Sequence, residues 1–66
     1  MNVTINGETR RLEPDTSLQT LLAMLDLEGK RLAVEVNRDI VPRSRFAEFK
    51  LSDNDMIEIV QAIGGG

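Results

Sequence analysis

Residues 1–25, MNVTINGETRRLEPDTSLQTLLAML, contain the two signals from which the fold is read. Met1 to Ile5 alternates apolar and polar residues. Asn6-Gly7 then supplies the two residues that most readily take the positive φ angles of a type I′ turn, so the spacing predicts a β-hairpin. The return strand, Glu8 to Glu13, has Leu12 as its only strongly apolar residue, which predicts a sheet edge with Arg10 or Arg11 facing water. Pro14 ends it. Leu18, Leu21, Leu22 and Leu25 then fall at i, i+3, i+4 and i+7, placing four leucines on one stripe of a helix. Such a stripe has to be covered by a sheet. Covering it stabilises the domain by about 1.5–3 kcal/mol per buried leucine.

The ends of that helix are read from local chemistry. Asp15-Thr16-Ser17 offers side-chain oxygens to the free amides of a first turn, and Thr16 with Gln19 has capping-box spacing. Gly29 can adopt the left-handed conformation that closes a helix. The expected helix therefore spans about residues 17–28, with boundaries good to two to four residues.

Downstream, Leu32, Val34 and Val36 alternate with Ala33, Glu35 and Asn37, predicting a third strand with one face inward. Asn37-Arg38-Asp39 is expected to turn it. Ile40-Val41 extends briefly before Pro42, which has no amide proton and argues against a central strand at that position. The segment from Arg43 to Leu51 has two readings: Phe46 and Phe49 suit one turn of helix or two anchors pinning a long connection over the core. Asp53-Asn54-Asp55 reads as a turn and Met56 to Ile63 as a last, β-branched strand. Alternation along it turns Ile57, Ile59 and Ile63 toward the helix and Glu58, Val60 and Ala62 outward.

The order strand, strand, helix, strand, strand, with one helix on one face of a mixed four- to five-stranded sheet, is an α+β arrangement. It is the β-grasp pattern of ubiquitin-like domains. At 66 residues the chain has room for one core. The division expected is a β-grasp domain over 1–63 and a glycine tail over 64–66.

Composition narrows the function. The chain has no Cys or His, and no Trp or Tyr, which removes thiol and imidazole catalysis, Cys/His zinc sites, disulfides and the usual base-stacking aromatics. A domain that buries only about 60% of its unfolded surface has little core to spare for an enclosed substrate cavity, so an autonomous enzyme is not expected. Net charge is −3, the wrong sign for default attraction to nucleic acid or acidic lipid. The longest unbroken apolar run is Leu21–Leu25, far short of the roughly 20 residues that a bilayer span requires, and the amino terminus lacks signal-peptide character. A cytoplasmic protein is expected, with neither nucleic acid nor membrane as partner.

Chemistry concentrates at Gly64-Gly65-Gly66. Glycines without side chains can thread a narrow channel, and extended they reach roughly 10 Å. A free carboxylate is a poor electrophile until adenylation turns its oxygen into a leaving group that sulfur or an amine displaces. A glycine tail alone is equally compatible with a frayed end or a shortened linker. Joined to a β-rich strand in this order of elements, it points to an activated terminus.

The chain resembles the ThiS family, the bacterial sulfur carriers of thiamin biosynthesis, over essentially its whole length. The resemblance rests on the Asn6-Gly7 hairpin, the leucine-striped helix, Ala33-Val34-Glu35-Val36-Asn37, Ile40-Val41-Pro42-Arg43, Asp53-Asn54-Asp55, and Ile59-Val60-Gln61-Ala62-Ile63 before the glycines. The Val41-Pro42-Arg43 element and the Gln-x-Ile-x-Gly-Gly ending are the most specific parts. It implies that a ThiF-type, E1-like adenylyltransferase uses ATP to adenylate the Gly66 carboxylate. A sulfur donor system then converts Gly66 to a thiocarboxylate, and a ThiG-type thiazole synthase takes the sulfur. The synthase combines it with deoxyxylulose phosphate and a glycine- or tyrosine-derived imine. Gly65 and Gly66 match the family's terminal pair, and Gly64 falls where alanine or glycine is common. No cofactor is expected on the carrier itself, ATP being consumed by its partner.

Val60, Ala62 and Ile63 lie beside the tail and are read as a docking surface. Arg43 is the preferred partner contact among Arg38, Arg43, Arg45 and Lys50, which together suggest a basic edge; a plain solvated surface is the competing reading of each. Asp53, Asp55, Asn37 and Asp39 read as turn formers, not catalytic groups. The alternatives are a molybdopterin-type sulfur carrier, which tends to be longer, a ubiquitin-like modifier, for which Lys30 and Lys50 would be the only lysines available for chain building, and a plain interaction domain with an inert tail.

Overall fold

The computed structural model describes residues 1–61. The opening hairpin forms as expected. Strands β1 (Asn2–Ile5) and β2 (Glu8–Arg11) pair antiparallel with Ile5 opposite Glu8, leaving Asn6 and Gly7 as a two-residue loop at φ 49° and 86°. Both angles are positive, as a type I′ turn requires. All four residues of β2 are exposed. Beyond β2 the buried Leu12 donates its N–H to the Met1 carbonyl and accepts the Met1 ammonium on its own carbonyl, each at 2.8 Å, closing the open end of the hairpin.

Helix α1 (Leu18–Met24) is shorter than the 17–28 expected. Its cap is Ser17, whose Oγ accepts the Thr20 N–H at 3.1 Å, and not Thr16, whose hydroxyl donates to the Glu13 carbonyl at 2.7 Å. The reason is tertiary. Ser17 bridges Lys50 in an isolated β-pair, and this holds its backbone extended at φ −82°, ψ 160°, the conformation that an N-cap needs. The same neighbouring segment satisfies the next two free amides, since Leu18 N–H donates to Phe49 O at 2.9 Å and Gln19 N–H to Phe46 O at 3.0 Å. With Leu21 N–H on Ser17 O at 3.0 Å, every amide of the first turn is bonded.

The helix stops early because Asp26, not Gly29, takes the first left-handed conformation, at φ 61°. Leu27 N–H then bonds Leu22 O at 2.8 Å and Asp26 N–H bonds Ala23 O at 3.1 Å, the paired contacts of a Schellman motif. That reversal returns Leu27 to the core, against which it packs half-buried. Gly29, at φ 80°, serves the following turn instead. The leucine stripe is buried as expected at Leu18, Leu21 and Leu22, and Leu25 packs partly buried at its end.

Strands β3 (Leu32–Val36) and β4 (Asp39–Val41) form a second hairpin. Val36 faces Asp39, so the turn is only Asn37-Arg38, at φ 52° and 73°, and Asp39 already belongs to the strand. Pro42 follows at the sheet edge. The 43–51 segment combines both of its expected readings: Arg43–Arg45 makes one 3₁₀ turn, while Phe46 is buried and Phe49 partly buried. After a turn in which Asn54 has φ 69°, β5 (Met56–Gln61) enters the middle of the sheet. It runs parallel to β1 and antiparallel to β3, giving the order β2-β1-β5-β3-β4.

Among the described residues, five strands thus form one mixed sheet with one α-helix on its inner face, the ubiquitin-like β-grasp. The core joins Val3, Ile5, Val34, Val36, Val41 and Ile57 of the sheet to the leucines of α1, with Leu12, Phe46 and Leu51 closing its margins. Among the described residues no helix is long and apolar enough to cross a membrane. The tail expected at 64–66, with the last two residues of the expected strand, Ala62 and Ile63, lies outside the described residues.

Candidate functional site

β5 is the strand nearest in sequence to Gly64-Gly65-Gly66, and it lies at the centre of the sheet between β1 and β3. Its alternation is as expected. Ile57 is buried and Ile59 half-buried toward the helix, while Met56, Glu58 and Val60 face outward, Val60 being 63% exposed. Ile40 of β4, 73% exposed, and Met56, 56% exposed, are on this outer face too, so three of the large exposed apolar residues share one side of the sheet. Glu35 and Glu58 stand directly opposite each other between them.

At the end of the sheet where β5 reaches Gln61, Val60 pairs with Ala33 and borders a shallow depression of about 450 Å³ shared with Arg31, Leu32 and Arg43. Arg43 Nη2 donates to the Lys30 carbonyl at 2.6 Å, which ties its guanidinium to the loop before β3. Two of the expected docking residues, Val60 and Arg43, are therefore neighbours. The wider basic edge does not form. Arg45 pairs with Glu48 at 3.1 Å, Lys50 sits by the helix cap, and Arg38 occupies the β3–β4 turn at the opposite end of the sheet from Gln61. Arg31, not singled out from sequence, takes their place beside Val60. Only the strand register reveals it, because Arg31 becomes a neighbour of Val60 through the Ala33–Val60 pairing.

Each end of β5 is held by an asparagine from a hairpin turn. Main-chain pairing of β1 with β5 ends at Ile5 and Ile57, after which Asn6 N–H donates to Ile57 O at 2.9 Å. The Asn6 side chain continues the ladder: Oδ1 accepts the Ile59 N–H at 2.8 Å and Nδ2 donates to the Ile59 carbonyl at 3.1 Å. At the other end Asn37 Oδ1 accepts the Met56 N–H at 2.9 Å, and Asn37 Nδ2 donates to Asp55 at 2.9 Å. The second oxygen of the buried Asp55 accepts the Ser52 N–H at 2.7 Å, and Asp53 accepts the Asn2 N–H at 2.7 Å. These carboxylates and amides hold turns, as read from sequence, and the asparagines also clamp the strand. The clamping was not legible in sequence because the partners are 53 residues apart for Asn6 and Ile59.

On the helix side of β5, Ile5, Leu25, Leu27, Leu32 and Ile59 floor an open groove of about 420 Å³ rimmed by Asn6, Glu8, Arg10 and Gln61. It is a surface groove, not an enclosed pocket for a substrate.

The ThiS family model matches residues 3–66. The chain is 43% identical over 63 residues to the sulfur carrier protein ThiS of Bacillus subtilis, covering 94% of this chain and 96% of that protein. It is 41% identical over all 66 residues to a thiazole synthase of Paramagnetospirillum magneticum, of whose length it spans 20%. The crystal structure of the thiamine biosynthesis protein ThiS from Geobacter metallireducens superposes with a TM-score of 0.85 at 28% identity, each chain fully covered. Among the described residues one α-helix lies on a five-stranded mixed sheet with β5 at its centre, and with these matches along nearly the whole chain there is one reading: the chain belongs to the ThiS family of sulfur carrier proteins.

Proposed function

We propose that this protein carries sulfur on its carboxyl terminus for the thiazole of thiamin. A ThiF-type, E1-like adenylyltransferase binds the carrier and ATP in the cytoplasm, and a Gly66 carboxylate oxygen attacks the α-phosphorus with release of pyrophosphate. In the acyl adenylate, AMP is the leaving group that a carboxylate by itself lacks. A sulfur donor system replaces it, leaving a thiocarboxylate, and a ThiG-type thiazole synthase accepts the sulfur. The carrier is a substrate of these enzymes and has no catalytic residue of its own.

The observation that carries this reading is the position of β5. A strand with a neighbour on both sides runs to Gln61, the last described residue, and the sequence from there to Gly65-Gly66 has no charged residue and finishes in glycine. A carrier needs a rigid body that presents a slender end. Val60 and Arg43, with Ala62 and Ile63 next in sequence, are assigned to docking of the activating enzyme, and Gly64 and Gly65 to its channel. That thiazole synthases contain a segment like this whole chain supports the synthase as the acceptor of the sulfur.

The test is the mass of the chain after incubation with ATP, the activating enzyme and a sulfur donor. Replacement of one oxygen of Gly66 by sulfur, followed by loss of that sulfur to thiazole synthase, is the expected result. An isopeptide with lysine would make the protein a modifier, and sulfur transfer only to a molybdopterin precursor would move it to the related carriers.

A further inference from the structure

We propose that Asn6 is a positioning residue for the reaction at the terminus, fixing the direction in which β5 delivers the last residues to the activating enzyme; this rests on the carrier reading above. The geometry behind it is unusual for a turn residue. Asn6 holds φ 49°, which asparagine tolerates better than most side chains. From there its amide presents one acceptor and one donor to a single residue, bonding both the N–H and the C=O of Ile59. An amide bonded in this way stands in for a strand residue's backbone.

The consequence is that β5 is held on the β1 side two residues further than the main chain of β1 reaches, since strand pairing stops at Ile57. On its other side β3 holds β5 as far as Gln61, opposite Leu32. Without the Asn6 amide, the stretch from Glu58 to Gln61 would keep bonds to β3 alone and could swing about that edge. Gly66 is seven residues beyond Ile59, so a rotation of β5 at Ile59 displaces the start of the path along which the carboxylate is presented. Reaction rates at positioned groups are steep in such displacements, with about 1 Å costing on the order of a hundredfold.

Asn6→Gly separates the clamp from the turn, because glycine accepts the positive φ while losing the amide. Asn37→Gly is its control, deleting the corresponding clamp on Met56 at the far end of β5. Two measurements decide the matter: hydrogen exchange at the Ile59 amide, and ATP–pyrophosphate exchange with the activating enzyme at varied carrier concentration. Asn6→Gly is expected to speed Ile59 exchange selectively and to lower kcat roughly tenfold to a hundredfold with KM little changed. Asn37→Gly is expected to lower stability at least as much and leave kcat at the parent value. Asn6→Asp keeps the acceptor for the Ile59 N–H but sets a carboxylate against the Ile59 carbonyl, so its kcat should fall between parent and Asn6→Gly. A parent-like kcat for Asn6→Gly, equal kcat losses in the two glycine variants, or unchanged Ile59 exchange would each overturn the inference. A parent chain that supports no pyrophosphate exchange at all would instead overturn the carrier reading, and this inference with it.

Discussion

Glu35 and Glu58 face each other directly across β3 and β5 on the outer side of the sheet. Like charges at such a position oppose pairing, and among the described residues the ion pair present is Arg45–Glu48, elsewhere on the surface. Arg38 borders the same patch without coming within ion-pair distance. Glu58→Gln should therefore stabilise the domain by about 0.2–1 kcal/mol in urea unfolding at low salt. Raising the salt should erase part of the gain, since Glu58 is exposed and Glu35 half-buried on the outer face, so the repulsion is partly screened. A variant less stable than the parent would mean that the opposed pair is not repulsive.

The leucine stripe yields a sharper contrast within one helix. Leu22 is buried whereas Met24, two residues on, is 54% exposed. Leu22→Ala should cost roughly 2–5 kcal/mol, enough to leave a domain this small barely folded. Met24→Ala should stay within about 0.5 kcal/mol, the range for surface sites. Thermal unfolding followed by circular dichroism distinguishes them, and equal effects would contradict the packing of α1.

Capping chemistry distinguishes neighbours in the same way. Ser17→Ala removes the acceptor for Thr20 N–H and is expected to cost about 0.5–2 kcal/mol. Thr16→Ala loses only an exposed hydroxyl bond to Glu13 and should cost less. The reverse order in denaturant midpoints would restore the Thr16–Gln19 capping box.

Val60→Asp tests the docking surface. The side chain faces solvent, so native circular dichroism is expected, while burying an unpaired carboxylate against the activating enzyme should weaken the complex measurably by calorimetry. Arg43→Ala should weaken it further when combined. Unchanged affinity of both variants would remove this surface from the interface.

Tail length sets the reach of the carboxylate. Deleting Gly66 leaves a competent carboxylate on Gly65 but about 3.5 Å short, and appending one alanine overshoots while adding a methyl group. Both chains should fold as the parent does, because no core residue changes. Both should lose most of their ATP–pyrophosphate exchange; parent-like rates in the two would show that reach is not gauged.

Local pattern was enough for the order of elements, the Asn6-Gly7 turn, the inward faces of β3 and β5, and the edge position of β2. Each depends on a period of 2 or 3.6 residues, or on a backbone angle that few side chains accept, and so is written within a few adjacent residues. The glycine terminus and the Val41-Pro42-Arg43 element likewise carried the family resemblance without any knowledge of contacts. Tertiary structure decided what depends on residues far apart. Helix α1 begins at Leu18 because Lys50 holds Ser17 extended and Phe46 and Phe49 bond its first amides, and it ends at Met24 because Asp26 reverses the chain to return Leu27 to the core. Arg31 joins Arg43 beside Val60, and Asn6 clamps Ile59, only because β1, β3 and β5 lie side by side, a consequence of burying one shared apolar face that no local window of the sequence contains.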